Sequence, residues 1–154
     1  MRKTKILVSA CLLGECCKYN GSHNRNEQVI ALKEKFDLIP VCPECFGGLP
    51  TPRAPSEIRN GRVISATGED VTAAFCEGAE QTLYIARETN CAAAVLKERS
   101  PSCGCGSIYD GTFTGTTVAG NGITAALLLA NNIAVFGESQ LRKLSDYLLF
   151  DEEI

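Results

Sequence analysis

Short apolar runs alternate with stretches of helical periodicity along this chain. Ile6 to Ala10 (ILVSA) is apolar almost throughout and rich in branched residues, which predicts a strand buried on both faces and therefore a parallel one. From Asn26 to Phe36 the residues Val29, Ile30, Leu32 and Phe36 recur at helical spacing, with Asn26 in the cap position. Leu38 to Val41 predicts a second strand. Prolines and the Gly47-Gly48 pair punctuate Cys42 to Pro55, so this stretch reads as a stiff, ordered loop rather than a helix. Asn60-Gly61, set between the alternating positions of Glu57 to Ile64, marks a hairpin. Asp70 to Thr89 is the longest helical stretch, its buried face drawn from Val71, Ala74, Phe75, Ala79, Leu83, Ile85 and Ala86. Ala92 to Leu96 is a third apolar strand, followed by a glycine-rich stretch from Glu98 to Gly122 with little helical pattern. Ile123 to Asn131 predicts a short buried helix opened by Gly120-Asn121-Gly122. Ile133 to Phe136 is a fourth strand, and Ser139 to Phe150 a terminal helix capped by Ser139.

Apolar strands alternating with helices define the α/β class: a mostly parallel sheet of about four strands, covered by helices on both faces, plus one small hairpin. With 154 residues and no repeat, linker or low-complexity tract, the chain reads as a single domain spanning 1–154. Hydrophobic residues at 45% and charged residues at 21% suit an ordinary packed core, which excludes global disorder and any need for disulfides in place of a core. A net charge of −3 offers no basic field for duplex nucleic acid or an anionic membrane. The opening MRKTKILVSAC resembles a lipoprotein signal, but Ile6 to Ala10 is shorter than the roughly 7–15 apolar residues a signal needs. No other run approaches the roughly 20 apolar residues of a membrane span. The expected setting is cytoplasmic.

Cysteine changes this picture: there are nine, beside one His, one Met and no Trp. An odd number in a chain with its own core points to metal or cluster ligands in a reducing compartment rather than to a disulfide framework. Ligands of parallel sheets bind outside the carboxyl ends of the strands. Cys11 directly follows the first strand, Cys42 the second, and Cys103 lies in the loop after the third. If those strands are neighbours, the three thiols share one crevice. Three thiolates fall short of a closed zinc site, which takes four ligands. They suit a [4Fe–4S] cluster with one iron left open. Cys42-Pro43-Glu44-Cys45 contains a Cys-x-x-Cys, but the chain has no second such pair for a zinc ribbon, and Gly47 to Pro50 argues against the helix a thioredoxin-type dithiol opens. Cys16, Cys17, Cys45 and Cys105 read as accessory thiols, Cys76 and Cys91 as core or helix-end residues. Glu44, two residues from Cys42, is placed for proton exchange. Arg53 is placed to pair with it. Ser100 and Ser102 offer hydroxyls beside Cys103. The Gly120-Asn121-Gly122 step opens a helix whose N–H groups either bind an anion or simply start the helix.

Several motifs occur together and in order: Ser9-Ala10-Cys11-Leu12-Leu13-Gly14, Cys42-Pro43-Glu44 with Gly47 to Arg53 (GGLPTPR), Leu96-Lys97 with Ser100 to Gly104 (SPSCG), Tyr109 to Phe113 (YDGTF), and Gly122 to Leu128 (GITAALL). From Lys5 to about Phe136 the chain resembles the domain-of-unknown-function 523 family, which contains the thiouracil desulfidases. The resemblance implies a Rossmann-like three-layer sandwich and a [4Fe–4S] cluster on Cys11, Cys42 and Cys103. It implies a small-molecule substrate, a thiolated pyrimidine or related thioamide. The open iron would act as a Lewis acid on the thiocarbonyl sulfur while water attacks the ring carbon, with no net redox change. Glu44 would be the acid/base, and Ser100 or Ser102 would position or relay. Members often carry Tyr-Asp-Gly early in the chain, where this one has Tyr19-Asn20-Gly21. A second class of function remains open at this point: a non-catalytic, cysteine-rich protein that binds, stores or senses zinc or iron.

Overall fold

The structure, a computed structural model, describes residues 3–152. Residues 1–2 and 153–154, at the two ends of the domain read from the sequence, lie outside the described residues, and with them Met1 and Arg2 of the signal-like segment. At the centre is a four-stranded, all-parallel sheet in the order β2-β1-β5-β8, built from β1 (Thr4–Ser9), β2 (Phe36–Val41), β5 (Ala93–Leu96) and β8 (Ala134–Gly137). Two antiparallel hairpins stand apart from it, β3 (Ser56–Arg59) with β4 (Arg62–Ser65), and β6 (Ser107–Tyr109) with β7 (Thr117–Ala119). The helices are α1 (Glu27–Ala31), α2 (Pro43–Phe46), α3 (Thr72–Glu88), α4 (Ile123–Ala130) and α5 (Leu141–Glu152), with single 3₁₀ turns at Ala10–Leu13 and Leu32–Glu34.

The sheet is apolar on both faces because helices cover both. Ile6 and Val8 of β1, with Ala93 and Val95 of β5, pack against Val29 of α1 and Leu144 and Leu148 of α5. Leu7, Ala94 and Leu96 face the other way, onto Leu83 and Ala86 of α3 and Ala125 and Leu128 of α4. This is the three-layer α/β sandwich. Among the described residues no helix is long and apolar enough to cross a membrane.

Local chemistry explains most element boundaries. Asn26 caps α1 as its sequence position predicts, its Oδ1 accepting the Gln28 and Val29 N–H groups. The cap and the one buried side chain, Val29, contribute about 1 and roughly 1.5–3 kcal/mol to a helix too short to persist alone. The helical periodicity up to Phe36 is overridden: the chain tightens into a 3₁₀ turn and Phe36 starts β2, paired with Thr4. Asn60-Gly61 turns the first hairpin with positive φ at both residues, as the pair predicts.

Several expectations are corrected. The stretch after Cys42 is not a loop throughout: Pro43 stands at the first position of α2, where its missing N–H costs nothing, and Gly47 ends that single turn. The glycine-rich stretch after Glu98 contains the second hairpin, β6–β7, whose three-residue strands are too short for a period-two signal. The terminal helix begins at Leu141, not at Ser139; the Ser139 N–H instead donates to Glu98 Oε1 at 2.6 Å. The buried face of α3 also differs in part. Thr72, Gly78 and Thr82 are buried where Val71, Ala74 and Ile85 are only half-buried, and Cys76 is exposed rather than core. Thr82 tolerates burial because its hydroxyl donates to Gly78 O at 2.8 Å.

Backbone meets backbone where α2 lies on α3. A Cβ at Gly78 would stand 1.8 Å from Pro43 O, and one at Gly47 2.0 Å from Ala74 O. No rotamer change relieves such a clash, so the two helices must part. Gly78→Ala is expected to destabilise the fold by about 1–3 kcal/mol, read as a lower urea midpoint, despite the roughly 1 kcal/mol that Ala gains over Gly in a helix. Glu80→Ala, on the exposed face of α3, is expected to leave the midpoint in place. An unchanged midpoint in Gly78→Ala would mean that the α2 contact is not tight.

Candidate functional site

β1, β2 and β5 are adjacent, and the chain leaves β1 toward β2 on one side and eventually returns to β5 on the other. That reversal opens a crevice at the carboxyl ends of the strands. A cavity of about 650 Å³ occupies it. Cys11, Cys42 and Cys103 all line this cavity, together with Glu44, Ser100 and Ser102, so every candidate site residue read from the sequence is brought to one place.

Cys42 and Glu44 arrive at the start of α2. The Cys42 and Cys45 sulfurs lie 3.3 Å apart, and the Cys17 carbonyl oxygen is 4.0 Å from the Cys42 sulfur. A hydrogen bond from the Cys17 thiol is the largest influence on Cys42 and pulls its thiol down to about 5 against its burial, with Cys45 and the Arg53 guanidinium pulling the same way. The Cys17 and Cys45 thiols beside it are both pushed up. Arg53 ties this corner together. Its Nη2 donates to Glu44 Oε2 at 3.1 Å and to Cys17 O at 2.9 Å, and its Nη1 to Pro50 O and Thr51 Oγ1. The pairing with Glu44 is the one the sequence suggests. Burial pushes the Glu44 carboxyl up, and Arg53 only partly offsets this.

The loop after β5 presents Cys103. Both the Ser102 and Cys103 N–H groups donate to Ser100 Oγ at 3.1 Å. Two N–H donors fill the lone pairs of that oxygen, so Ser100 is the donor in its 3.0 Å contact with Ser102 Oγ. Ser102 in turn donates to the Cys103 sulfur at 3.4 Å. The two hydroxyls therefore form a directed row that ends on sulfur. Burial pushes the Cys103 thiol up to about 12, with the Ser102 and Ser9 hydroxyls opposing. The amino end of α4 fastens this loop. Gly122, Ile123, Thr124 and Ala125 N–H groups donate to Gly104 O, Pro101 O and, twice, Ser102 O. The helix start is thus occupied by the chain's own carbonyls, which selects the plain helix start over the anion site.

Cys11 sits on the 3₁₀ turn after β1, and Asn24 Nδ2 donates to its sulfur at 3.4 Å. Burial raises the Cys11 thiol, and Asn24 opposes that. The remaining cysteines are dispersed. Cys16 and Cys76 are exposed, Cys91 follows α3, and the Cys105 sulfur lies 3.7 Å from Val135 O. Asn20 is exposed, its Oδ1 accepting the Ser22 N–H at 3.0 Å, while Lys18 and Tyr19 line the cavity. Sequence reasoning missed the far wall, where Glu57, Tyr109 and Phe113 line the cavity from the two hairpins. It also missed Asn24 and Lys97 at the rim. The quoted Tyr109–Phe113 and Leu96-Lys97 motifs were the available signals; Glu57, a carboxylate at a buried hairpin position, had none.

A family model described as 2-thiouracil desulfurase matches residues 6–140, and the chain belongs to that family. An uncharacterised protein of Bacillus subtilis (strain 168), YbbK, is 45% identical, over 90% of this chain and 99% of its own length. Among solved structures, the [4Fe–4S]-dependent thiouracil desulfidase TudS is similar at a TM-score of 0.90 and 45% identity, with 96% of this chain and 99% of that one covered.

The short Cys42–Cys45 approach generates a prediction about the metal-free protein. Two thiols one helical turn apart, with their sulfurs at 3.3 Å, are poised for disulfide formation, with molecular oxygen taking up the two electrons and two protons. Non-reducing peptide mapping after exposure to air is expected to find Cys42 joined to Cys45, and Cys45→Ser to abolish that product. A dominant Cys11–Cys103 product would show that this corner is not the reactive one.

Proposed function

We propose that this chain is a [4Fe–4S]-dependent desulfidase that converts the thiocarbonyl of a thiolated pyrimidine, or a related thioamide, to a carbonyl. Water enters, hydrogen sulfide leaves, and no net oxidation or reduction occurs. The observation that carries the reading is the delivery of Cys11, Cys42 and Cys103 from three adjacent strands to the wall of one cavity. The donor set fits the group: three thiols of a soft-ligand type line one cavity with room beside them. Among the described residues no three His, Cys, Asp or Glu side chains converge on a point as a single ion needs. A cytoplasmic setting, which keeps thiols reduced, belongs to the same reading.

Bound there, the cluster would supply a Lewis acid with one iron free for the thiocarbonyl sulfur. The chain's own residues do the rest. Glu44, beside Cys42 and raised by burial, holds or takes the proton of the attacking water, and Arg53 fixes the orientation of its carboxylate. Ser100 and Ser102 hold the Cys103 sulfur in place through their directed row. The hairpin wall closes the cavity over the substrate and limits the water that reaches it.

Protein purified without oxygen is expected to carry about four irons and four sulfides per chain. Cys→Ser at 11, 42 or 103 is expected to abolish cluster reconstitution, and at 45 or 105 to permit it. Loss with Cys45→Ser and retention with Cys42→Ser would overturn the ligand set, and a colourless protein holding one zinc would favour the storage alternative.

Glu44→Gln keeps the shape and the Arg53 contact but removes proton transfer. It is expected to retain the cluster spectrum and to release uracil from 2- or 4-thiouracil at least about a hundredfold more slowly. Wild-type rates in this variant would take Glu44 out of the mechanism.

A further inference from the structure

The part of the cavity lining that comes from the two hairpins has a feature the desulfidase chemistry does not require. The loop joining β6 to β7 is exposed and made mainly of Thr and Gly, yet it carries Phe113, half-buried and lining the cavity. Phe113 has φ of +59°. For a bulky side chain this left-handed backbone is a genuine outlier, and such a conformation persists only where the surroundings over-determine it. They do so here. Glu57, buried on β3, spends one carboxylate oxygen on two backbone donors, accepting the Gly111 N–H at 3.0 Å and the Phe113 N–H at 3.1 Å. Arg59 Nε donates to Gly111 O at 3.1 Å. Gly111 has φ of +93°, and a Cβ there would stand 2.8 Å from Ile58 O, so only glycine lets the loop approach β3 this closely. The first hairpin thus grips the second loop at one point, and what that grip presents to the cavity is an aromatic ring.

We propose that Phe113 is the platform against which the flat heteroaromatic ring of the substrate stacks, and that Glu57 is the positioning residue that holds Phe113 over the cavity. The inference rests on the desulfidase reading and names how that site recognises its substrate. A pyrimidine ring offers few hydrogen-bonding edges and a π face, and offset stacking on an aromatic side chain uses that face. Stacking also fixes the ring plane, and with it the direction in which an exocyclic sulfur points.

The test compares wild-type holoenzyme with Phe113→Leu, Phe113→Tyr, Glu57→Ala and Glu57→Gln, each with iron content and cluster spectrum checked. Phe113→Leu keeps apolar bulk but loses the π face. It is expected to raise KM for 2-thiouracil about tenfold or more, with a much smaller change in kcat, and Phe113→Tyr to restore it. The loss on thioacetamide, which has no ring, is expected to be smaller than on 2-thiouracil. Glu57→Ala is expected to raise KM in the same way, and Glu57→Gln, which keeps an acceptor oxygen for the Gly111 and Phe113 N–H groups, to rescue it. Binding of 2-thiouracil, followed by ligand-observed NMR, is expected to weaken in Phe113→Leu by the same factor and needs no turnover. Equal 2-thiouracil binding by wild type and Phe113→Leu, or no measurable binding by either, overturns the proposal whether or not the wild type turns over. Absence of wild-type turnover with Phe113-dependent binding would instead count against the desulfidase reading alone.

Discussion

Parallel pairing of β1 with β2 on one side and β5 on the other is the constraint on which the rest depends. Parallel strands end on the same side of a sheet, so three neighbouring strands must release their chains at one level. Cys11 and Cys42 are the second and first residues past their strands, and Cys103 is one short loop past its own. None of the three needs a long or specially shaped connection to reach the crevice. The apolar faces of the sheet set this register, because a slip of one residue would exchange the sides on which Ile6, Leu7 and Val8 are buried.

Around that frame the site is held by contacts to the main chain. The first N–H groups of α4 end on carbonyls of the Cys103 loop, α2 touches α3 through Gly47 and Gly78, and Glu57 holds the far loop by two N–H groups. Backbone-to-backbone contact fixes position more closely than flexible side chains do, and it explains why glycine occurs where these segments meet. Gly122 is another such point: a Cβ there would stand 2.6 Å from Ser102 O.

Much of this was legible in the sequence because it depends on local pattern. Apolar runs mark β1, β5 and β8, Asn60-Gly61 marks its turn, and the placement of Cys11, Cys42 and Cys103 after strands brings them to one cavity. What stayed hidden depends on partners distant in sequence. α2 is a single turn whose packing partner, Gly78, lies more than thirty residues on, and nothing between Cys42 and Pro55 announces it. The β6–β7 hairpin has strands of three residues, and Glu57 gains its meaning only from N–H groups 54 and 56 residues away. The early end of α1 is a competition: Phe36 fits a helical stripe, but pairing with β1 claims it.

The position of β2 at the margin of the sheet sets an order of rigidity within the site. Among the described residues β2 has a neighbouring strand on one side only, and it tolerates Pro40 for that reason. Strands with one neighbour open at lower free energy than those with two, so amide protons near Cys42 exchange with solvent before those near Cys11. Two of the three thiols therefore follow interior strands of the sheet, while the third follows a strand at its margin.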